Sequence, residues 1–71
     1  MLIRRTILKN KIKILRAENN LKQDELAIKV EVRRETIVHL ENNRYMPSLK
    51  LAHDIAKVFN KSIEEVFLFE E

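Results

Sequence analysis

The chain has 71 residues, 14 of them Lys or Arg against 11 Asp or Glu, and it contains neither cysteine nor glycine. One domain of this length buries only about 60% of the surface that its unfolded chain exposes, so stability should be modest and aided by dimerisation. The lack of cysteine excludes a disulfide framework or a thiolate metal site and fits a reducing cytoplasm. Its apolar runs are too short for a membrane span, and Arg4 and Arg5 lead into no apolar region of the kind a secretory signal needs.

The basic residues gather at one end. Arg4, Arg5, Lys9, Lys11, Lys13, Arg16 and Lys22 face a single acid, Glu18, over the first 22 positions, whereas Glu64, Glu65, Glu70 and Glu71 have no basic neighbour at the other end. A solvated face accounts for such a run as readily as a nucleic-acid surface does.

In chain order, Leu8, Ile12 and Leu15 at i, i+4 and i+7 predict a first helix from about Asn10 to Asn19, with Asn10 as its N-cap. A second helix is expected from about Gln23 to Val30 and a third from about Arg33 to Asn42. Ala52, Ile55, Ala56 and Phe59 form the cleanest helical stripe, which should begin after Pro47 with Ser48 as cap. Ser62-Ile-Glu-Glu65 reads as a capping box that opens a short fifth helix carrying Ile63, Val66 and Phe67.

Without glycine, the helix ends must use other residues. Five of the six asparagines, Asn19, Asn20, Asn42, Asn43 and Asn60, fall at predicted helix ends, and Asn is the next-best residue for the left-handed conformation there. Glu31 is expected to take such a position with no comparable aptitude.

Residues 21–41 have the spacing of two helices crossing around a tight turn. Ala27 is the small residue at the crossing, and Leu26, Val30, Val32, Ile37 and Leu40 are the apolar contacts. Burial of those positions leaves Arg33, Arg34, Glu35, Val38 and His39 on the outward face, a polar set suited to a DNA major groove. The plain alternative is a helical hairpin with a solvated charged face.

These stretches in this order resemble the Cro/cI-like (XRE-type) helix-turn-helix regulators over roughly Lys11 to Phe67. The matching pieces are Ile12-Lys-Ile-Leu-Arg16, Leu21-Lys-Gln-Asp-Glu-Leu-Ala27, Thr36-Ile37 with Leu40-Glu-Asn42, Tyr45-Met-Pro-Ser-Leu49, and Ile55-Ala-Lys-Val-Phe59 followed by Ser62-Ile-Glu-Glu-Val66. The chain looks most like the small single-domain members. The resemblance implies an all-α, five-helix, lambda-repressor-like fold for residues 1–71, with the motif at about 22–42. It also implies a repressor that binds an inverted-repeat operator in double-stranded DNA as a homodimer.

Residue by residue, the resemblance places Arg33, Arg34, Glu35 and His39 at bases or adjacent phosphates. Gln23 is implied to hold a phosphate and brace the recognition helix, and Asn42, Asn43 and Arg44 form a backbone-binding loop, with Lys50 nearby as a further phosphate contact. Arg16 and Glu41 match a charge pair, which their places beside Leu15 and Leu40 at the core margin also support. The family usually has Gly where this chain has Glu31, and Ser or Thr where it has Lys22 and Arg33.

Arg34 suits O6 and N7 of guanine, with a phosphate contact as the alternative. Glu35 either accepts from cytosine N4 or holds Arg34 or Lys29 in place, and His39 either donates to a base or is simply exposed. Leu2, Ile3, Ile7 and Leu8 with Val66, Phe67, Leu68 and Phe69 are more apolar residues than a five-helix core needs. They are expected to form a short antiparallel strand pair that builds the dimer and brings Arg4 and Arg5 to Glu70 and Glu71, the alternative being ends that cap the core or fray.

No enzyme, metal or cofactor is expected. Ser48 and Ser62 serve as caps, Thr6 and Thr36 have no adjacent base, and His39 and His53 lack companion ligands. No small-molecule site is evident. The competing class is a protein-interaction module on the same fold, such as an antitoxin or coactivator.

Overall fold

The computed structural model describes residues 7–69, with side chains from position 9 onward. The expectations on Leu2, Ile3, Arg4, Arg5, Thr6, Glu70, Glu71 and the side chains of Ile7 and Leu8 lie outside the described residues. In chain order the elements are β1 (Ile7–Asn10), α1 (Ile12–Glu18), α2 (Gln23–Lys29), α3 (Arg34–Glu41), α4 (Leu49–Val58), α5 (Ile63–Val66) and β2 (Phe67–Phe69).

The periodic apolar positions form one core. Ile12 and Leu15 come from α1, Leu26 and Ala27 from α2, Ile37 and Leu40 from α3, and Leu51, Ala52, Ile55 and Ala56 from α4, with Val30, Phe59, Val66 and Phe67 closing it. Each large side chain so buried contributes about 1.5–3 kcal/mol relative to exposure. Ala27 is buried where α2 packs on α3, and its small size permits that close approach. Among the described residues no helix is long and apolar enough to cross a membrane.

Four helices end in the same way. After α1, α2, α3 and α4 the backbone turns left-handed at Asn20, Glu31, Asn43 and Asn60, with φ of 53°, 61°, 58° and 56°. In each case two amides reach back to close a Schellman motif. Leu21 N donates to Arg16 O at 2.9 Å, Val32 N to Ala27 O at 3.0 Å, Arg44 N to His39 O at 2.9 Å, and Lys61 N to Ala56 O at 2.9 Å. Thus Asn20, Asn43 and Asn60 stand in for glycine, and Glu31 takes the left-handed position in the motif's turn. Asn19 and Asn42 differ from expectation: both keep negative φ, and their side-chain amides donate to the carbonyls of Leu15 and Val38 at 2.7 and 3.0 Å. Each Asn-Asn doublet therefore divides the work of ending a helix, the first residue satisfying a carbonyl with its side chain and the second turning the backbone.

The helix starts vary more. Ser48 and Ser62 cap α4 and α5 through their hydroxyls, accepting from Leu51 N and Glu65 N at 3.1 and 3.2 Å. Glu65 completes the box by accepting from Ser62 N at 2.7 Å, a bond that holds its carboxyl below the ordinary glutamate range. At α2 the cap is half made: Glu25 accepts from Lys22 N at 2.8 Å, but an ammonium has no lone pair to return. Asn10 does not head α1. It ends β1, and Lys11 occupies the cap position, although the Asn10 Oδ1 still accepts from Ile12 N at 3.1 Å.

The strands pair antiparallel with Ile7 opposite Phe69, Lys9 opposite Leu68 and Asn10 opposite Phe67. Two steps along β1 match one along β2, so the ladder is bulged at Leu8, and Lys11 N extends it to Val66 O at 2.8 Å. Val66 and Phe67 are fully buried within the protomer and so cannot be surface contacts of a dimer. Of the four residues expected there, Leu68 is half-buried and Phe69 exposed.

Replacing Glu31 with Gly removes the Cβ clash of the left-handed conformation, a gain of about 1 kcal/mol partly offset by the greater freedom of glycine in the unfolded chain. The thermal midpoint of Glu31→Gly should rise, and a clear fall would mean that the glutamate side chain stabilises the turn.

Candidate nucleic-acid interface

At about 100° per residue, Arg34, Glu35, Val38, His39 and Asn42 fall within one arc of roughly 140° on α3, opposite Ile37 and Leu40. Ile37 and Leu40 are buried, whereas Arg34, Glu35, His39 and Asn42 are exposed and Val38 is partly so. The helix therefore presents its polar side as a single outward strip. Arg33, also exposed, is its N-cap residue in an extended conformation, and no side chain caps the helix. The Thr36 amide, which a Ser or Thr cap would satisfy with its hydroxyl, donates instead to the Arg33 carbonyl at 3.0 Å.

A chain of hydrogen bonds anchors this helix to the two before it. Arg16 in α1 grips Glu41 in α3, with Nε 2.5 Å from Oε2 and Nη2 3.2 Å from Oε1. Its remaining arm donates from Nη1 to Leu21 O at 3.0 Å, in the connection that leads to α2. The side chains retain 14% and 7% exposure, which separates the pair from solvated surface ion pairs and gives it real weight. Gln23, the first residue of α2, donates from Nε2 to Glu41 Oε1 at 3.0 Å and accepts at Oε1 from Arg34 Nη2 at 3.2 Å. Arg34 is thus held at the start of α3 by Gln23. Of the alternatives open for Glu35, holding Arg34 is not found among the described residues.

Beyond α3, Asn42, Asn43 and Arg44 are all exposed on the loop that the Schellman motif fixes. Lys50 is placed apart from it. Its Nζ lies 2.7 Å from Asp54 Oδ2 one turn along α4, where the shared hydrogen bond raises the pKa of the lysine and lowers that of the aspartate. Glu31 adds to the raised pKa of Lys50, so this ammonium sits among carboxylates. His39 and His53 belong to no metal-binding cluster among the described residues.

The residue that sequence patterning misplaced is Asn10. Its Nδ2 donates to Leu40 O at 2.8 Å and to Asn43 Oδ1 at 3.0 Å, clipping β1 to the end of α3 and to the loop after it. Partners 30 and 33 residues away leave no local signal. Read locally, Asn10 served equally well as the N-cap of the first helix.

An exposed polar strip on the second helix of a packed pair joined by a tight turn, followed by a polar loop, is the arrangement of helix-turn-helix proteins. The HTH_3 helix-turn-helix family model matches residues 12–66. The chain belongs to this XRE-type helix-turn-helix family. It is 56% identical over 64 residues to an uncharacterized HTH-type transcriptional regulator of Archaeoglobus fulgidus, covering 90% of each chain. It is 50% identical to the uncharacterized HTH-type regulator MJ0272 of Methanocaldococcus jannaschii and 44% identical to YgzD of Bacillus subtilis, covering 90% of this chain and 97% of each relative. Its fold is also that of the clp gene regulator ClgR from Corynebacterium glutamicum, with a TM-score of 0.70 at 22% identity over 76% of this chain and 57% of that one. Members of the family are regulators, not enzymes.

Glu41→Leu leaves the Arg16 guanidinium mostly buried without its counter-charge and should cost about 3 kcal/mol in urea unfolding. Adding Arg16→Met should recover most of that loss. Equal stability of Glu41→Leu and wild type would mean the pair contributes no more than two solvated charges.

Proposed function

We propose that this DNA-binding transcriptional regulator is a cytoplasmic repressor that binds an inverted-repeat operator as a homodimer, with α3 of each protomer in the major groove. The observation that carries this reading is the outward strip of α3, where Gln23 holds the Arg34 guanidinium against a helix whose other face is wholly committed to the core. Arg34 then offers its planar fork to O6 and N7 of guanine, and Glu35 and His39 reach neighbouring base edges. Arg33, Gln23, Asn42, Asn43 and Arg44 take phosphates on either side. Lys50 spends one of its three ammonium donors on Asp54 and has two left for a phosphate, with part of its charge offset by that carboxylate.

Two such helices read successive major-groove faces when their centres stand about 34–36 Å apart. Leu68 and Phe69 on β2 are the apolar residues through which a second protomer would associate. The Val66 and Phe67 beside them stay within each core.

With about three phosphates neutralised per protomer, by Arg33, Arg44 and Lys50, log K for a dimer should fall with log salt at a slope of roughly −5. Arg34→Ala should cost about 1–3 kcal/mol on a site selected from random duplexes and much less on random DNA. Equal losses on both would make Arg34 a phosphate contact, and no duplex binding at low salt would overturn the reading. Leu68→Asp with Phe69→Asp should sediment as a folded monomer with much weaker operator binding, and an unchanged dimer would move the contact to another face.

A further inference from the structure

The side-chain amide of Asn10 can lie in its place only one way round. The Leu40 carbonyl can only accept, so the Asn10 atom 2.8 Å from it is Nδ2. The Ile12 amide can only donate, so the Asn10 atom 3.1 Å from it is Oδ1. The same Nδ2 lies 3.0 Å from the side chain of Asn43, and a donor there must meet Oδ1. Asn43 is therefore turned with its acceptor inward and its two amide hydrogens outward.

The backbone beneath it is fixed as well. Asn43 sits at φ 58°, its N–H donates to Leu40 O at 3.0 Å, and Arg44 N donates to His39 O at 2.9 Å. Leu40 O thus receives both Asn43 N and Asn10 Nδ2, which fills its two lone pairs.

From this geometry we infer that Asn10, whose own amide is taken up by Leu40, Asn43 and Ile12, is a positioning residue for DNA binding: it holds the Asn43 amide as a fixed donor to a phosphate oxygen. The inference rests on the duplex-binding reading above. A phosphate oxygen only accepts, so it suits the NH2 edge of Asn43 and not the carbonyl edge. An unclipped Asn43 presents both edges and loses side-chain freedom each time it binds. The clipped one has given up that freedom before DNA arrives.

Asn43→Gly keeps the left-handed backbone and removes the donor. It should weaken duplex binding by about tenfold per protomer, the worth of one hydrogen bond to a charged oxygen. Asn10→Ser keeps a hydroxyl near Ile12 N but cannot span to Leu40 and Asn43. It should weaken binding by about threefold per protomer, equally on selected and random duplexes. The salt slope should not change, because a neutral donor releases no counterion. In the Asn43→Gly background, Asn10→Ser should cost nothing further.

If Asn10→Ser weakens binding as much in that background as in wild type, its effect does not pass through Asn43 and the inference fails, while duplex binding stands. Wild-type protein that binds no duplex overturns both. Should either variant fold poorly, wild-type protein labelled with 15N decides the matter. On titration with a random-sequence duplex, the Asn43 side-chain NH2 signals should shift, and those of Asn10 should be slow to exchange before DNA is added and stay in place. Asn43 NH2 signals unmoved at saturation would exclude the contact.

Discussion

Glu41 accepts three hydrogen bonds, two from Arg16 of α1 and one from Gln23 of α2, and so joins three helices at one carboxylate. Apolar packing by itself tolerates sliding and small rotations of a helix about its own axis, because the hydrophobic effect is non-directional. A bidentate guanidinium and an amide, each with a required direction, do not. Rotation of α3 is thereby restricted at the residue that follows its last core position, Leu40. The outward strip inherits that restriction, since Arg34 is tied to the same Gln23 that bonds Glu41. The polar network adds orientation to a helix that the apolar core already binds.

The helix ends show how a chain without glycine reaches the same connections. Asn20, Asn43 and Asn60 hold left-handed backbone at small cost, since a short amide side chain tolerates that region better than most others. Glu31 holds it with no such advantage, in the turn between α2 and α3. Its carboxylate lies near the Lys50 and Asp54 pair on α4. The strain is local. Val32 N still reaches Ala27 O, and the turn keeps its shape.

What could be read in the sequence was whatever repeats locally. The apolar stripes of α2 to α4, the serine caps at Ser48 and Ser62 and the left-handed asparagines depend on neighbours within a few positions, whereas Leu8, read as the head of the first helical stripe, lies in β1. The Arg16 and Glu41 pair was legible too, because each residue directly follows a core position and so must lie at the core margin. Asn10 was not, since a chain end that could begin a helix and one that ends a strand look alike until the partner strand is known. The bulge at Leu8 escaped for a related reason: two steps opposite one cannot be inferred from either strand alone. Val66 and Phe67 were assigned to an interface because apolar residues near a terminus look surplus, whereas a small core draws on every one within reach.

The terminal sheet therefore has two faces to its work. Through Asn10, β1 bonds the last turn of α3 and the Asn43 side chain, while its pairing of Asn10 with Phe67 locks β2 beside it and sends Phe67 into the core. Only Leu68 and Phe69, one and two residues farther along the same strand, remain toward the surface. If a second protomer associates there, its contact lies on the strand that pairs with β1. Any shift of β2 along that ladder must then carry or break the Asn10 register, and with it the fixed face of Asn43. Association and phosphate contact would share one mechanical support, so that a dimer which holds β2 in place also holds the loop ready for DNA.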